Sequence, residues 1–265
     1  LNPDGTVVSI RRFRTSHAGL VDLVDNGLLS ESMAETLKFA VRARINIIFA
    51  GGAGTGKTTL LNAISEFVPE NERIVTIEDS AELALRHHHV VSLEGRQENN
   101  EGRGKHGLRS LIRQALRMRA DRIIVGEVRG DEVFEMLQAM TIGHDGSLTT
   151  IHANNPQQAL KRIETLAMLS DIQAPREAIR DMVDAAIGLI VHVGRLPCGT
   201  RKVLSIVEVI VEDDSRQLKE LFRYNARGQE ADEFPALSKP DFACEAEERG
   251  IEAPRALNAL WEVVQ

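Results

Sequence analysis

The stretch that most limits how this chain can fold is "FAGGAGTGKTTLL", residues 49–61. It matches G-x-x-x-x-G-K-[ST] from Gly51 to Thr58, after an apolar strand pattern and before a helical one. Gly51, Gly52, Gly54 and Gly56, with Ala53 and Thr55 between them, let successive backbone N–H groups turn inward around phosphate oxygens. The helix opening near Lys57 adds its partial positive charge to the same place. Lys57 can reach the β- and γ-phosphates of a nucleotide, Thr58 can hold Mg2+, and Thr59 completes the first turn. A glycine-rich turn without a ligand is the bland alternative, and the flanking strand and helix speak against it.

From Ile45 onward short apolar runs ("INIIFA", "RIVTIE", "RIIVGE", "SLTTIH", "IGLIVHV", "VLSIVEVIV") alternate with helical patterns over 109–119, 131–140, 157–169 and 176–187. Buried strands alternating with helices predict an α/β fold whose mostly parallel sheet is covered on both faces. Before Ile45, "SHAGLVDLVDNG" reads as a short helix stopped by Gly27. "SESMAETLKFAVRAR" reads as a second, capped by Ser30 or Ser32. Pro156 behind Asn154 and Asn155 marks another helix start. Residues 1–44 therefore read as the end of an N-terminal domain plus linker helices and 45–211 as the core. Residues 212–265 read as an acidic extension in which the β/α rhythm fades. The chain opens at Leu1 with a strand-like stretch, as a piece lacking an N-terminal region would.

The phosphate loop alone does not choose a chemistry, so the acids matter. Glu127 closes the apolar strand "RIIVGE", where a carboxylate can hold a magnesium water or polarise the attacking one; the alternative is an exposed strand end. Glu78 and Asp79 stand at another strand's C-terminal edge, where open α/β sheets bind ligands, although Asp79 or Ser80 could instead cap a helix. Arg109, Arg113 and Arg117 recur every four residues and form one helical stripe that repels itself. An anion should face it: nucleotide phosphates, a neighbouring subunit's acids or a nucleic-acid backbone, unless it is a solvated basic face.

His144 and His152 in "GHDGSLTTIHAN" invite a metal reading. Convergence is needed for that, yet one should end a helix-to-strand turn and the other the following strand, with no cysteine nearby. Imidazoles beside a nucleotide can instead donate hydrogen bonds and sense the γ-phosphate, or be buried with structural partners only. His87, His88 and His89 read as a surface edge.

Charge is uneven: 13 acids against 6 bases lie between Glu208 and Glu252, and 5 against 10 between Arg86 and Arg129, so the net −7 comes from the first region. That region reads as a solvated acidic segment. Cys198 and Cys244 form no Cys-x-x-Cys spacing, consistent with a reducing compartment, and no apolar run reaches the ~18 residues of a spanning helix. A soluble protein is expected.

With these pieces in order the sequence resembles the ATPases of type II and type IV secretion and type IV pilus assembly. Besides the phosphate loop, "TIEDSAEL", "ALRMRADRIIVGEVRG" and "GHDGSLTTIHANNP" match that family's remaining motifs, and with "SIRRF" the likeness spans about residues 7 to 211. The wording looks most like the tight-adherence (Flp) pilus branch, with DNA-transfer secretion ATPases next. The resemblance implies a RecA-like P-loop NTPase core and ATP with Mg2+ as cofactors. It further implies a homo-oligomer, a hexamer, working at the cytoplasmic face of the inner membrane on platform proteins, without a transmembrane segment. It casts Glu78 as assisting the attacking water, Glu127 as the second-site glutamate and metal holder with Thr58, Arg113 and Arg117 as arginines near the γ-phosphate, and His144 and His152 as the histidine box. Arg11, Arg12 and Arg14 stand where such enzymes place N-terminal arginines that reach the nucleotide. Ala120 replaces a usual proline and Ile142 a usual threonine, both at packing positions, and the four-cysteine zinc insert of many type II members is absent.

Two other classes compete. A RecA-type nucleic-acid translocase would need a basic track and salt-sensitive binding, which an acidic chain with one Trp and one Tyr does not suggest. No direct, specific nucleic-acid contact is expected. A non-catalytic nucleotide-dependent scaffold would not need Lys57, Thr58, Glu78 and Glu127 together.

Overall fold

The computed structural model describes residues 18–98, 104–172, 174–213, 215–225 and 234–264, so Arg11, Arg12 and Arg14 lie outside the described residues. Two helices come first: α1 (Leu20–Asp25) and α2 (Glu31–Arg42), the latter capped by the Ser30 hydroxyl, which accepts from the Met33 amide at 3.2 Å. There follow β1 (Ile47–Gly51), α3 (Lys57–Ser65), β2 (Ile74–Glu78), β3 (Val90–Glu94), α4 (Leu108–Ala115), β4 (Arg122–Val128), α5 (Glu132–Thr141) and β5 (Leu148–Ile151). The chain continues through α6 (Pro156–Met168), α7 (Arg176–Ala186), β6 (Leu189–Arg195), β7 (Arg201–Glu212), β8 (Ser215–Arg223), α8 (Phe242–Glu248) and α9 (Arg255–Val263).

The eight strands among the described residues join one sheet in the order β3-β2-β4-β5-β1-β6-β7-β8. The first six in that order run parallel, and β7 and β8 return antiparallel. Wholly apolar strands are what such burial demands. In β1, Ile47 and Phe49 pack into the layer of α1, α2, α3, α8 and α9, while Ile48 and Ala50 pack into the layer of α4 to α7. The α/β, mostly parallel expectation is met.

The stretch after residue 211 departs from its reading as a solvated charged tail. β8 extends the sheet, and Phe242 and Trp261 bury their rings against Phe39 of α2, with centroids 5.8 and 6.1 Å away. Trp261 is fully buried, so removing its ring should cost on the order of 3–5 kcal/mol. Acids on the outward faces hid these anchors. Glu208 of β7, itself buried, accepts from the Asp241 and Phe242 amides at 2.7 Å each and fastens the start of α8 to the sheet.

At the N-terminal edge of the parallel strands a polar cluster sets the register. Asn46 donates to the Met140 and Ala186 carbonyls at 3.1 and 2.7 Å and accepts from the Ser147 amide at 2.9 Å. Fully buried Arg122 pairs with Glu72, and its guanidinium fills the space beside Gly146, where a Cβ would come within 2.3 Å of it.

Candidate active site

The opposite, C-terminal edge carries the chemistry. β1 ends in Gly51, which must lack a side chain, because a Cβ there would lie 2.2 Å from the Val193 carbonyl oxygen of β6. Gly54 and Gly56 take φ of 68° and 105°, which L side chains rarely adopt, and Gly56 is the N-cap of α3. The Thr55 hydroxyl donates to the Gly52 carbonyl at 3.0 Å and holds the loop from within. Ala53, Gly54, Gly56, Lys57, Thr58 and Thr59 line a cleft of about 490 Å3, within the size range of small-molecule sites.

Strand order decides what faces the loop. β5 lies between β1 and β4, so His152, just past β5, stands between Lys57 and Glu127. The Lys57 ammonium donates to the Gly52 carbonyl at 2.9 Å and lies 3.5 Å from His152 Nδ1. His152 Nε2 lies 2.6 Å from Glu127 Oε1, although no aligned hydrogen bond from the described residues reaches that buried oxygen. Burial pushes the Lys57 ammonium below its ordinary pKa, and the Glu127 carboxylate partly offsets this. A buried cation and an oxygen without an aligned donor fit a site that takes up phosphate and a divalent ion together.

Glu78 is buried at the end of β2, and its Oε1 accepts from the Glu82 and Leu83 amides at 3.0 and 2.9 Å. Burial, more than those donors oppose it, pushes its carboxyl above the usual range, with Glu82 and Glu94 adding like charge. Gly126 makes room for it, since a Cβ there would come within 2.8 Å of Glu78 Cγ. Asp79 caps no helix; it pairs with Arg129 at the cleft wall. Buried Glu132 accepts from the Arg129 and Gly130 amides at 2.6 and 2.9 Å, which fixes the turn presenting Arg129.

Other expected residues sit elsewhere. His144 lies at the N-terminal edge of the sheet, beyond the whole of β5, so at least ~13 Å of strand separates it from the level of His152. There its carbonyl accepts from the Ser147 hydroxyl at 2.7 Å, its buried Nδ1 has no partner among the described residues, and burial lowers its pKa. The paired histidines therefore do not converge, and within one chain His144 cannot sense a γ-phosphate. The arginine stripe is likewise turned away from the cleft. Arg109 and Arg113 both bind the buried Glu135 of α5, through contacts of 2.6 to 3.0 Å, and Arg109 also reaches Asp131 and Asp171 at 3.0 and 3.2 Å. The expected anion is thus supplied by the same chain. Arg117 is exposed in the turn after α4.

Two cations of the cleft escaped the sequence reading. Arg129 directly follows the second acidic strand in "GEVRG", a position that could have flagged it. Arg201 lies far from any motif and arrives through the β6–β7 hairpin.

Residues 2–234 match a protein-family model described as "Type II/IV secretion system protein". The chain is 44% identical over 202 residues to a Mycobacterium tuberculosis protein provisionally described as a conjugal transfer protein, covering 76% of this chain and 57% of that one. It is 35% identical over 208 residues to the conjugal transfer protein TrbB of Rhizobium radiobacter, covering 77% and 61%. It therefore spans less than two thirds of these curated relatives' length. Among solved structures it is similar to the VirB11 ATPase of the Brucella suis type IV secretion system in complex with sulphate, with a TM-score of 0.59, 28% identity and coverage of 75% and 65%. The pilus retraction motor PilT with bound ADP shares the fold, with a TM-score of 0.54, 19% identity and coverage of 96% and 62%.

Proposed function

The chain belongs to the type II/IV secretion system protein family, and from that premise we propose that it is the Mg-dependent, ATP-hydrolysing part of a secretion or pilus motor. The observation that carries this reading is the convergence of Lys57, Thr58, Glu78, Glu127 and His152 around one cleft at the end of the phosphate loop. Magnesium, when bound, neutralises charge on the phosphates. Lys57 gives up its hold on the Gly52 carbonyl to meet the β- and γ-phosphates, and the loop amides cradle the remaining oxygens. Thr58 and Glu127 are the residues that would hold the metal. Two backbone donors fix one oxygen of Glu78, which leaves its second oxygen to orient the attacking water. His152, between Lys57 and Glu127, meets the γ-phosphate and responds to its loss.

Arg113 and Arg117 do not line this cleft, so the phosphate contact proposed for them would come from a neighbouring copy in a ring-forming homo-oligomer, a hexamer in this reading. No helix of the described residues is long and apolar enough to cross a membrane. Attachment at the inner membrane would then run through platform proteins. Relatives described as conjugal transfer proteins, and the type IV secretion protein PtlH of Bordetella pertussis at 42% identity over 164 residues, support a type IV secretion or DNA-transfer apparatus. The wording of "LRMRADRIIVGEVRG", "MLQAM" and "GHDGSLTTIHANNPQQAL" supports the tight-adherence pilus branch.

The test is magnesium-dependent phosphate release with two variants. Lys57→Ala should lose nucleotide affinity, and Glu127→Gln should bind nucleotide yet turn over at least ~100-fold more slowly. Equal loss of binding in both would reject the role given to Glu127, and absence of magnesium-dependent turnover in the wild-type assembly would reject the reading as a whole.

A further inference from the structure

We infer that Arg201 binds the α/β-phosphate region of the nucleotide from the side of the cleft opposite the hydrolytic acids; this rests on the nucleotide reading above and adds a contact from outside its motifs.

The inference starts from topology. β6 pairs parallel with β1 and places Val193 beside Gly51, and β7 then returns antiparallel, with Arg201 opposite Arg195. An antiparallel strand begins where its partner ends. Arg201 therefore emerges at the same sheet edge as the phosphate loop, two strands from β1. The tight approach of Gly51 to the Val193 carbonyl leaves no slack between the loop and β6, so the hairpin is indexed to the loop. The Arg201 stem lies over the first turn of α3: a Cβ on Gly56 would be 3.8 Å from Arg201 Cδ. Its residue lines the cleft with Gly54, Gly56 and Thr58.

Electrostatics single it out among the cleft's cations. Lys57 is engaged by Gly52, His152 and the field of Glu127, and Arg129 by Asp79. Arg201 has no side-chain hydrogen bond or ion pair among the described residues. A guanidinium beside backbone amides at a helix N-terminus meets like partial charge, and a bound phosphate relieves it.

Position then selects the phosphate. Glu127 and His152 lie on the β4–β5 side of β1, where water and the terminal phosphate must meet, whereas Arg201 lies on the β6–β7 side. A contact there is made equally by a nucleoside diphosphate and a triphosphate. It contributes affinity that is present in the ground state and the transition state alike, so it acts on binding more than on turnover.

The experiment measures Kd for ADP and for ATP, each with magnesium, on the full chain carrying Arg201→Ala, Arg201→Lys or Arg223→Ala, the last at a residue that does not line the cleft. Arg201→Ala should weaken both nucleotides by the same factor, roughly 10- to 100-fold, with the lysine variant between it and the wild type and Arg223→Ala unchanged. Arg201 is exposed at the start of its strand, and an unchanged thermal midpoint in the alanine variant shows that folding is not the cause. Wild-type affinity for both nucleotides in Arg201→Ala would overturn the inference while leaving the ATPase reading intact. Weakening of ATP alone would overturn the α/β assignment in favour of the γ-phosphate. A wild-type chain that binds neither nucleotide while Lys57→Ala behaves identically would sink both.

Discussion

His152 Nε2 lies 2.6 Å from Glu127 Oε1, and the same imidazole is 3.5 Å from the Lys57 ammonium through Nδ1. One ring thus connects the Lys57 ammonium to the Glu127 carboxylate. The contact exists because β5 is inserted between β1, which leads into the phosphate loop, and β4, which carries Glu127. His152→Ala should leave nucleotide affinity within about threefold and lower kcat by roughly 100-fold or more, the span of a positioned acid–base group. Steady-state kinetics beside equilibrium binding decide it: a rise in Kd equal to the loss of kcat/KM would make His152 a ground-state binding residue.

Glu78 yields a pH dependence. Burial holds its carboxyl above the ordinary value, and the neighbouring Glu82 carboxylate adds to the rise. In the role proposed for Glu78 the ionised form orients the water, so kcat/KM should fall as pH drops through that raised value, placing the acid limb nearer neutrality than for a free carboxylate. Glu82→Gln removes the like charge but keeps the backbone donor. Its acid limb should therefore move to lower pH, and a limb that stays in place would assign it to a different group.

Most of the cleft is legible in the sequence because its determinants are local. Phosphate loops, acids at strand ends and a histidine after a strand all lie within a few residues of the element that positions them. What is lost is what depends on strand order. His144 and His152 look like a pair eight residues apart, yet four residues of β5 stand between them and carry them to opposite sheet edges. Arg113 looks aimed at phosphate until α5 brings Glu135 beside it. Arg201 carries no local signal, since only the antiparallel return of β7 brings it to the cleft. β8 and the last helices are masked by charge: "SRQLKELFR" puts Leu221 and Phe222 in the core beside exposed Arg223.

The joint between β7 and α8 gives a stability prediction. Burial raises the Glu208 carboxyl to about 7, against the donors Asp241 and Phe242 and the more distant Lys219. Its folded pKa exceeds the unfolded one, so the native state holds an extra proton between about 4.5 and about 7. The contribution of this group is full below about 4.5 and is lost as pH rises through about 7. Glu208→Gln removes that titration. The difference in denaturation midpoint between wild type and variant should therefore shift in the variant's favour between pH 5 and 8, then level off. A difference constant across that window would show that Glu208 does not titrate there.

Glu135 determines what the arginine stripe can do. Its side chain is 2% exposed and binds Arg109 and Arg113 together, and the Arg113 guanidinium stays 56% exposed on the outer surface of α4. A guanidinium anchored on one edge and open on the other is preset to meet an anion from outside its own chain, because the anchor limits the side-chain entropy lost on contact. Within one copy that anion is not the nucleotide, as Arg113 does not line the cleft. In an assembly it would be the γ-phosphate held by the neighbour, where an arginine supplied in trans is worth roughly 10³ to 10⁵ in rate. Specific activity per subunit should then rise with protein concentration. Arg113→Ala should bind nucleotide and fail to turn over, and mixing it with Lys57→Ala should restore part of the activity. Recovery arises because some interfaces in the mixture join an intact phosphate loop to an intact Arg113. Flat specific activity from dilute to concentrated protein, with no recovery in mixtures shown to co-assemble, would leave Arg113 with a single role, that of neutralising Glu135.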